Sequence, residues 1–145
     1  MNFDWLQEVK QEWSNKTVPW PKPANEFTGQ CVQFIRWTLD KYFKLPQWPG
    51  VDYGAQQFWS IYEKSPEMNK YFIKIPNTPT LIPQEGDIFI QDRTKGGGYG
   101  HIGILIGDDQ TVNYWTSIEQ NYKPLRVSVV QHNYNGCLGF FRLKE

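Results

Sequence analysis

Cys31 sits in Gly29-Gln30-Cys31-Val32, ahead of an apolar run of helical spacing, and His101 opens an apolar run of strand character seventy positions later. A thiol attacks only as thiolate, a form favoured by the free amides and positive end of a helix and by a neighbouring imidazolium. An imidazole, whose ordinary pKa lies near neutrality, can take the thiol's proton and later return one to a leaving amine. Cys31 and His101 are therefore the candidate nucleophile and base. The ring must also be held in one tautomer by an acceptor at its second nitrogen. Ser117-Ile118-Glu119-Gln120-Asn121 offers two such groups. Alternate residues of a strand share a face, which predicts that Glu119 and Asn121 both point toward the strand beginning at His101, where either could orient the ring. The side-chain amide of Gln30 and the backbone N–H of Cys31 are the candidate donors to the oxyanion formed when a carbonyl is attacked. The second histidine, His132 in Gln131-His132-Asn133-Tyr134-Asn135-Gly136, reads as part of a polar turn.

The elements that must carry these groups are an N-terminal set of helices and a C-terminal set of strands. Trp5, Leu6, Val9 and Trp13 recur at three- and four-residue steps, predicting an amphipathic surface helix over 3–14. Val18-Pro19-Trp20-Pro21-Lys22-Pro23 dictates an extended strut, because proline fixes its own φ and disfavours helix in its predecessor. Val32, Ile35, Leu39 and Phe43, with Phe34, Trp37 and Tyr42 between them, predict a central buried helix over 30–43. Asp52 is a plausible N-cap for a third helix carrying Ala55, Phe58, Trp59, Ile61 and Tyr62. After Pro76 short apolar runs broken by Gly, Pro and Asn predict strands near 87–91, 101–107, 111–116, 118–122, 125–131 and 137–143. Helices followed by strands imply an α+β domain with an antiparallel sheet of about five to six strands.

The chain's 145 residues suit one domain, with 1–18 as helix and lead-in and 19–143 as the core. Fifteen basic residues balance fifteen acidic ones, and no Lys/Arg cluster points to nucleic acid or an anionic membrane. The start lacks the basic and apolar segments of a secretory signal, and no run is long enough to span a bilayer. The expectation is a protein made in the cytoplasm, not inserted in a membrane, and monomeric. Cys31 and Cys137 are expected to stay reduced, with Cys137 a core residue of the last strand. Trp20, Trp48, Trp59 and Trp115 suit either core or groove wall. Asp87, at a strand start after Gly86, suits a turn role.

Gly29-Gln30-Cys31-Val32, Pro83-Gln84-Glu85-Gly86-Asp87-Ile88, Tyr99-Gly100-His101-Ile102-Gly103-Ile104 and Ile118-Glu119-Gln120-Asn121, in that order, resemble the CHAP domain (cysteine, histidine-dependent amidohydrolase/peptidase) of bacteriophage endolysins. The resemblance covers roughly residues 20 to 143 and implies a papain-like α+β fold. It further implies hydrolysis of a peptidoglycan amide through an acyl-enzyme, as endopeptidase or N-acetylmuramoyl-L-alanine amidase, on the wall after release from the host cytoplasm. By motif, Cys31 would be nucleophile, His101 general base and acid, Glu119 the orienting acid and Asn121 the accompanying polar residue. By analogy with other cysteine hydrolases that use a glutamine and the nucleophile's own amide, Gln30 would serve the oxyanion. Asn135-Gly136-Cys137-Leu138-Gly139-Phe140-Phe141-Arg142 resembles the last strand of phage members. Alternatives on the same fold are a bacterial remodelling amidase, an antibacterial toxin, or a catalytically silent wall-binding domain. Some members bind calcium through an acidic cluster ahead of the cysteine. Here Lys22-Pro23-Ala24-Asn25-Glu26-Phe27 has one carboxylate, too few for a calcium site, so neither metal nor cofactor is expected.

Overall fold

In the computed structural model, which describes residues 1–145, two helices precede a mixed segment and a six-stranded sheet. Helix α1 (Trp5–Trp13) buries Leu6 and Val9. Its flanking rings lock onto the next helix: Trp5 stacks on Tyr42 at 4.5 Å and Trp13 meets Trp37 edge-on at 5.3 Å. Helix α2 (Cys31–Thr38) starts after an extended Gln30 and buries Val32, Phe34, Ile35, Trp37 and Thr38. It runs into a π-helical turn over Leu39–Phe43, which ends where Lys44 adopts left-handed φ. The predicted central helix is thus present, with its last turn widened.

Helix α3 (Gln57–Ile61) starts later than its expected Asp52 cap. The Gln57 side-chain oxygen accepts from the N–H groups of Asp52 and Tyr53, so those residues wrap the helix start instead of entering it. Helix α4 (Pro66–Tyr71) and strand β1 (Phe72–Pro76) were not anticipated. The start signal was present: Ser65 Oγ accepts from Met68 N–H, with Pro66 opening the helix.

The remaining strands are β2 (Ile88–Gln91), β3 (His101–Leu105), β4 (Trp115–Lys123), β5 (Arg126–His132) and β6 (Cys137–Leu143). The order is β1-β6-β2-β3-β4-β5, antiparallel throughout. Where two strands were expected over 111–116 and 118–122 there is one. Thr111 Oγ1 accepts from Asn113 and Tyr114 N–H, folding 111–114 into a turn.

Strand alternation divides the core. Ile88, Ile90, Ile102, Ile104, Ile118, Val127 and Phe141 face the helices in the main cluster, while Phe89, Leu105, Trp115 and Phe140 form a second cluster across the sheet. Helix α2 packs over β3 and β4, which brings its N-terminus to the end of the sheet where β3 begins. The proline strut is tied there by Gln120, whose side-chain oxygen accepts from Val18 N–H while its amide donates to the Gln30 carbonyl.

Asp87 fills the structural role assigned to it. Buried at the start of β2, it accepts from Gln84 N–H and forms a two-pronged ion pair with Arg142 of β6, at 2.9 and 2.8 Å. Arg142→Met would strand that carboxylate without its counter-ion. The expected cost is about 3 kcal/mol, read as a lower urea midpoint with an unchanged m-value.

Candidate active site

Cys31 occupies the first position of α2, where backbone amides have no partner within the helix. His101 occupies the first position of β3 and is 6% exposed. Gly100, at φ +78°, delivers the chain into β3, and a Cβ there would lie 2.4 Å from the Gln91 carbonyl oxygen. Cys31 and His101 line one cavity of about 860 Å3, together with Gln30 and Asn121. Of the five candidate site residues, these four share the cavity wall and Glu119 does not.

Glu119 lies behind the imidazole with no exposed surface. Its Oε1 is 2.8 Å from His101 Nε2, which leaves Nδ1 as the ring nitrogen available to the thiol. Gly103, beside Glu119 on the adjacent strand, makes room for it: a Cβ there would come within 2.8 Å of the Glu119 Cβ and 2.6 Å of the Phe89 ring. Burial opposes charge on His101, but hydrogen bonds and charge from Cys31 and Glu119 outweigh it and raise the imidazole to about 10. Burial likewise favours the neutral Glu119 carboxyl. Hydrogen bonds and positive charge from His101 and His132 overcome that and hold it below the ordinary carboxylate value.

The shared direction expected for Glu119 and Asn121 needs correction. Asn121 has φ +71°, at a bulge that ends the alternation of β4. Its side chain therefore holds Gln30 and not the ring. Asn121 Oδ1 accepts from Leu125 N–H at 2.8 Å, and its Nδ2 donates to Gln30 Oε1 at 2.8 Å. That chain of bonds fixes both amides and leaves the Gln30 NH2 free.

His132 is the group the sequence reading missed. Its Nε2 lies 3.0 and 2.9 Å from the two oxygens of Glu119, and Ser117 Oγ donates to Oε2. Extending the period-two pattern of β5 by one residue would have found it. Ser128, Val130 and His132 pair with Glu119, Ser117 and Trp115. Of the tryptophans considered as groove walls, Trp48 and Trp115 are buried in the core, and Trp20 and Trp59 pack against it. The aromatic rings on the cavity wall are Phe27 and Tyr99, 53% and 60% exposed. Cys137 is half-buried; it and Cys31 are free thiols, and burial pushes Cys137 up to about 12.

Comparison with known families gives a match to the CHAP domain model over residues 21–121. The chain belongs to the CHAP domain family. Among solved structures, this CHAP domain is similar to the wild-type endolysin LysIME-EF1, with a TM-score of 0.63 and 21% identity over 96% of this chain and 62% of that one. It is also similar to Ly7917, solved with the hydrolysis product of MDP, with a TM-score of 0.60 and 16% identity over 79% of this chain and 54% of that one. The CHAP domain thus spans less than two thirds of either structure, and these likenesses establish the endolysin-type α+β fold. No curated protein sequence matches it. No helix is long and apolar enough to cross a membrane.

The His101–Glu119 pair has a directional consequence for stability. Because His101 is raised from 6.5 to about 10 on folding, its contribution is complete below pH 6.5 and is lost as the pH climbs toward 10. Glu119→Gln removes one of the two groups responsible, the other being Cys31. The stability margin of the natural protein over that variant should be larger at pH 6 than at pH 10, measured by urea unfolding at both values.

Proposed function

We propose that this CHAP domain is a peptidoglycan hydrolase that cleaves an amide bond by cysteine nucleophilic catalysis. The observation that carries the reading is the convergence of Cys31 and His101 on one open cavity, with a buried Glu119 behind the ring. A cleft with exposed Phe27 and Tyr99 and glycines at 54, 96, 97 and 100 on its walls suits an extended peptide with sugar attached. The capture of Ly7917 with a hydrolysis product supports the reaction class.

In the proposed cycle the Cys31 thiolate attacks the amide carbonyl carbon, and the carbonyl π electrons move onto oxygen. The oxyanion is held by the Gln30 NH2, which the Asn121 clamp leaves free, and by the Cys31 backbone N–H. His101, kept as imidazolium by Glu119, gives its proton to the amine as the C–N bond breaks, leaving a thioester. The neutral ring then takes a proton from water as that water attacks the thioester. Collapse releases the carboxylic acid and restores the thiolate–imidazolium pair. Endopeptidase and N-acetylmuramoyl-L-alanine amidase action share this chemistry. The chain as a whole forms the catalytic unit, acting as a monomer on walls of bacteria lysed by phage.

Cys31→Ala should abolish clearing of purified walls while leaving circular dichroism and thermal unfolding unchanged. Clearing by the folded variant would defeat the proposal, and mass spectrometry of released fragments identifies the bond. Gln30→Ala should lower kcat about 100-fold. Asn121→Ala, which frees the Gln30 amide without deleting it, should lower kcat about 10-fold with KM little changed.

A further inference from the structure

The Glu119 carboxylate is saturated in a way that a three-residue relay does not require. Oε1 accepts from His101 at 2.8 Å and from His132 at 3.0 Å, while Oε2 accepts from His132 at 2.9 Å and from Ser117 Oγ. His132 is itself built in. Its side chain is 9% exposed, with Phe89 at 5.3 Å, Trp115 at 5.4 Å and Tyr122 at 5.6 Å between ring centroids. The two imidazole centroids are 6.4 Å apart, so the rings meet through the carboxylate and not by direct hydrogen bonding.

We propose that His132 is a positioning residue for the hydrolytic site: as a second imidazole donor to Glu119 it fixes the carboxylate and limits how strongly that carboxylate holds His101. The inference rests on the catalytic reading above and adds to it a residue that touches neither substrate nor thiol. Each N–H that donates to an ionised carboxylate stabilises its charge and lowers its basicity, so an oxygen shared between two donors is a weaker acceptor toward each. An acid that must release its proton to an amine in each turnover works poorly when its conjugate partner grips it too hard. His132 draws off part of that grip. The titratable and charged groups around the two rings are Cys31 from α2, Glu119 and Tyr122 from β4, and Lys95 from the turn before β3, which with both histidines lines a smaller adjoining pocket. Of these only Glu119 bonds both imidazoles.

The test is imidazole NMR titration of the whole chain, in which just two histidines make assignment direct. His132→Phe fills the space between Phe89 and Trp115 but donates nothing. Its His101 midpoint should move upward by about half a pH unit or more, with kcat reduced about 3- to 10-fold and KM unchanged. His132→Gln, which keeps an N–H donor, should bring both values back toward those of the natural protein. A folded His132→Phe whose His101 midpoint is unchanged or lower overturns the proposal. So does an equal shift in His132→Gln. Should His132→Phe not fold, His132→Asn, too short to reach Glu119, must show the same upward shift. The titration does not depend on turnover, so clearing by Cys31→Ala would sink the hydrolase reading without being confused with failure here.

Discussion

An ionised carboxylate with no exposed surface is the constraint around which the cleft is organised. Removing such a charge from water costs several kcal/mol unless its lone pairs are met. Glu119 meets that cost with two imidazoles and a hydroxyl drawn from β3, β4 and β5. The same bonds leave His101 with one nitrogen committed and the other turned toward the helix. Position and tautomer of the ring are thereby set by one buried group, which shares with Cys31 the task of holding its charge. Gly103 is part of the arrangement, since any side chain there would occupy the space taken by Glu119 and Phe89.

The sheet also separates two tasks. Its helix-facing side carries the main hydrophobic cluster that seats α2 and fixes the direction from which Cys31 arrives. Its other side carries the smaller aromatic cluster, and the polar groups that govern His101 lie against it: Phe89 contacts both imidazoles and Trp115 contacts His132. Nucleophile and base thus reach the cavity from opposite sides of the sheet's end. Gln120 and Asn121, adjacent at the bulge in β4, take up the two remaining loose parts. One ties the proline strut and the Gln30 backbone, and the other holds the Gln30 side chain. A bulge suits this work because it lets neighbouring residues depart from strict alternation.

Much of this was legible in order along the chain. Cys31 before an apolar helix, His101 after glycines at a strand start, and Glu119 within a strand are local facts, because periodicity and turn residues are local. The misses were of two kinds. Helix α4 had a Ser65-Pro66 start signal, and β1 followed it directly, so both were overlooked in a short segment where helix and strand abut. Asn121 and His132 were different, since their partners depend on a positive φ and on a strand running one residue further than expected.

The residue types and their order determined the chemistry available: a thiol, an imidazole, a carboxylate and an amide, with helices first and strands after. Only the tertiary structure decided who holds whom. Glu119 bonds two histidines, and Asn121 serves Gln30 instead of the ring. Hydrogen bonds between strands form at distances of about 3 Å, and a one-residue slip in register exchanges every partner. Local sequence pattern constrains which face a side chain takes; the sheet's register and its bulges choose the atom it meets.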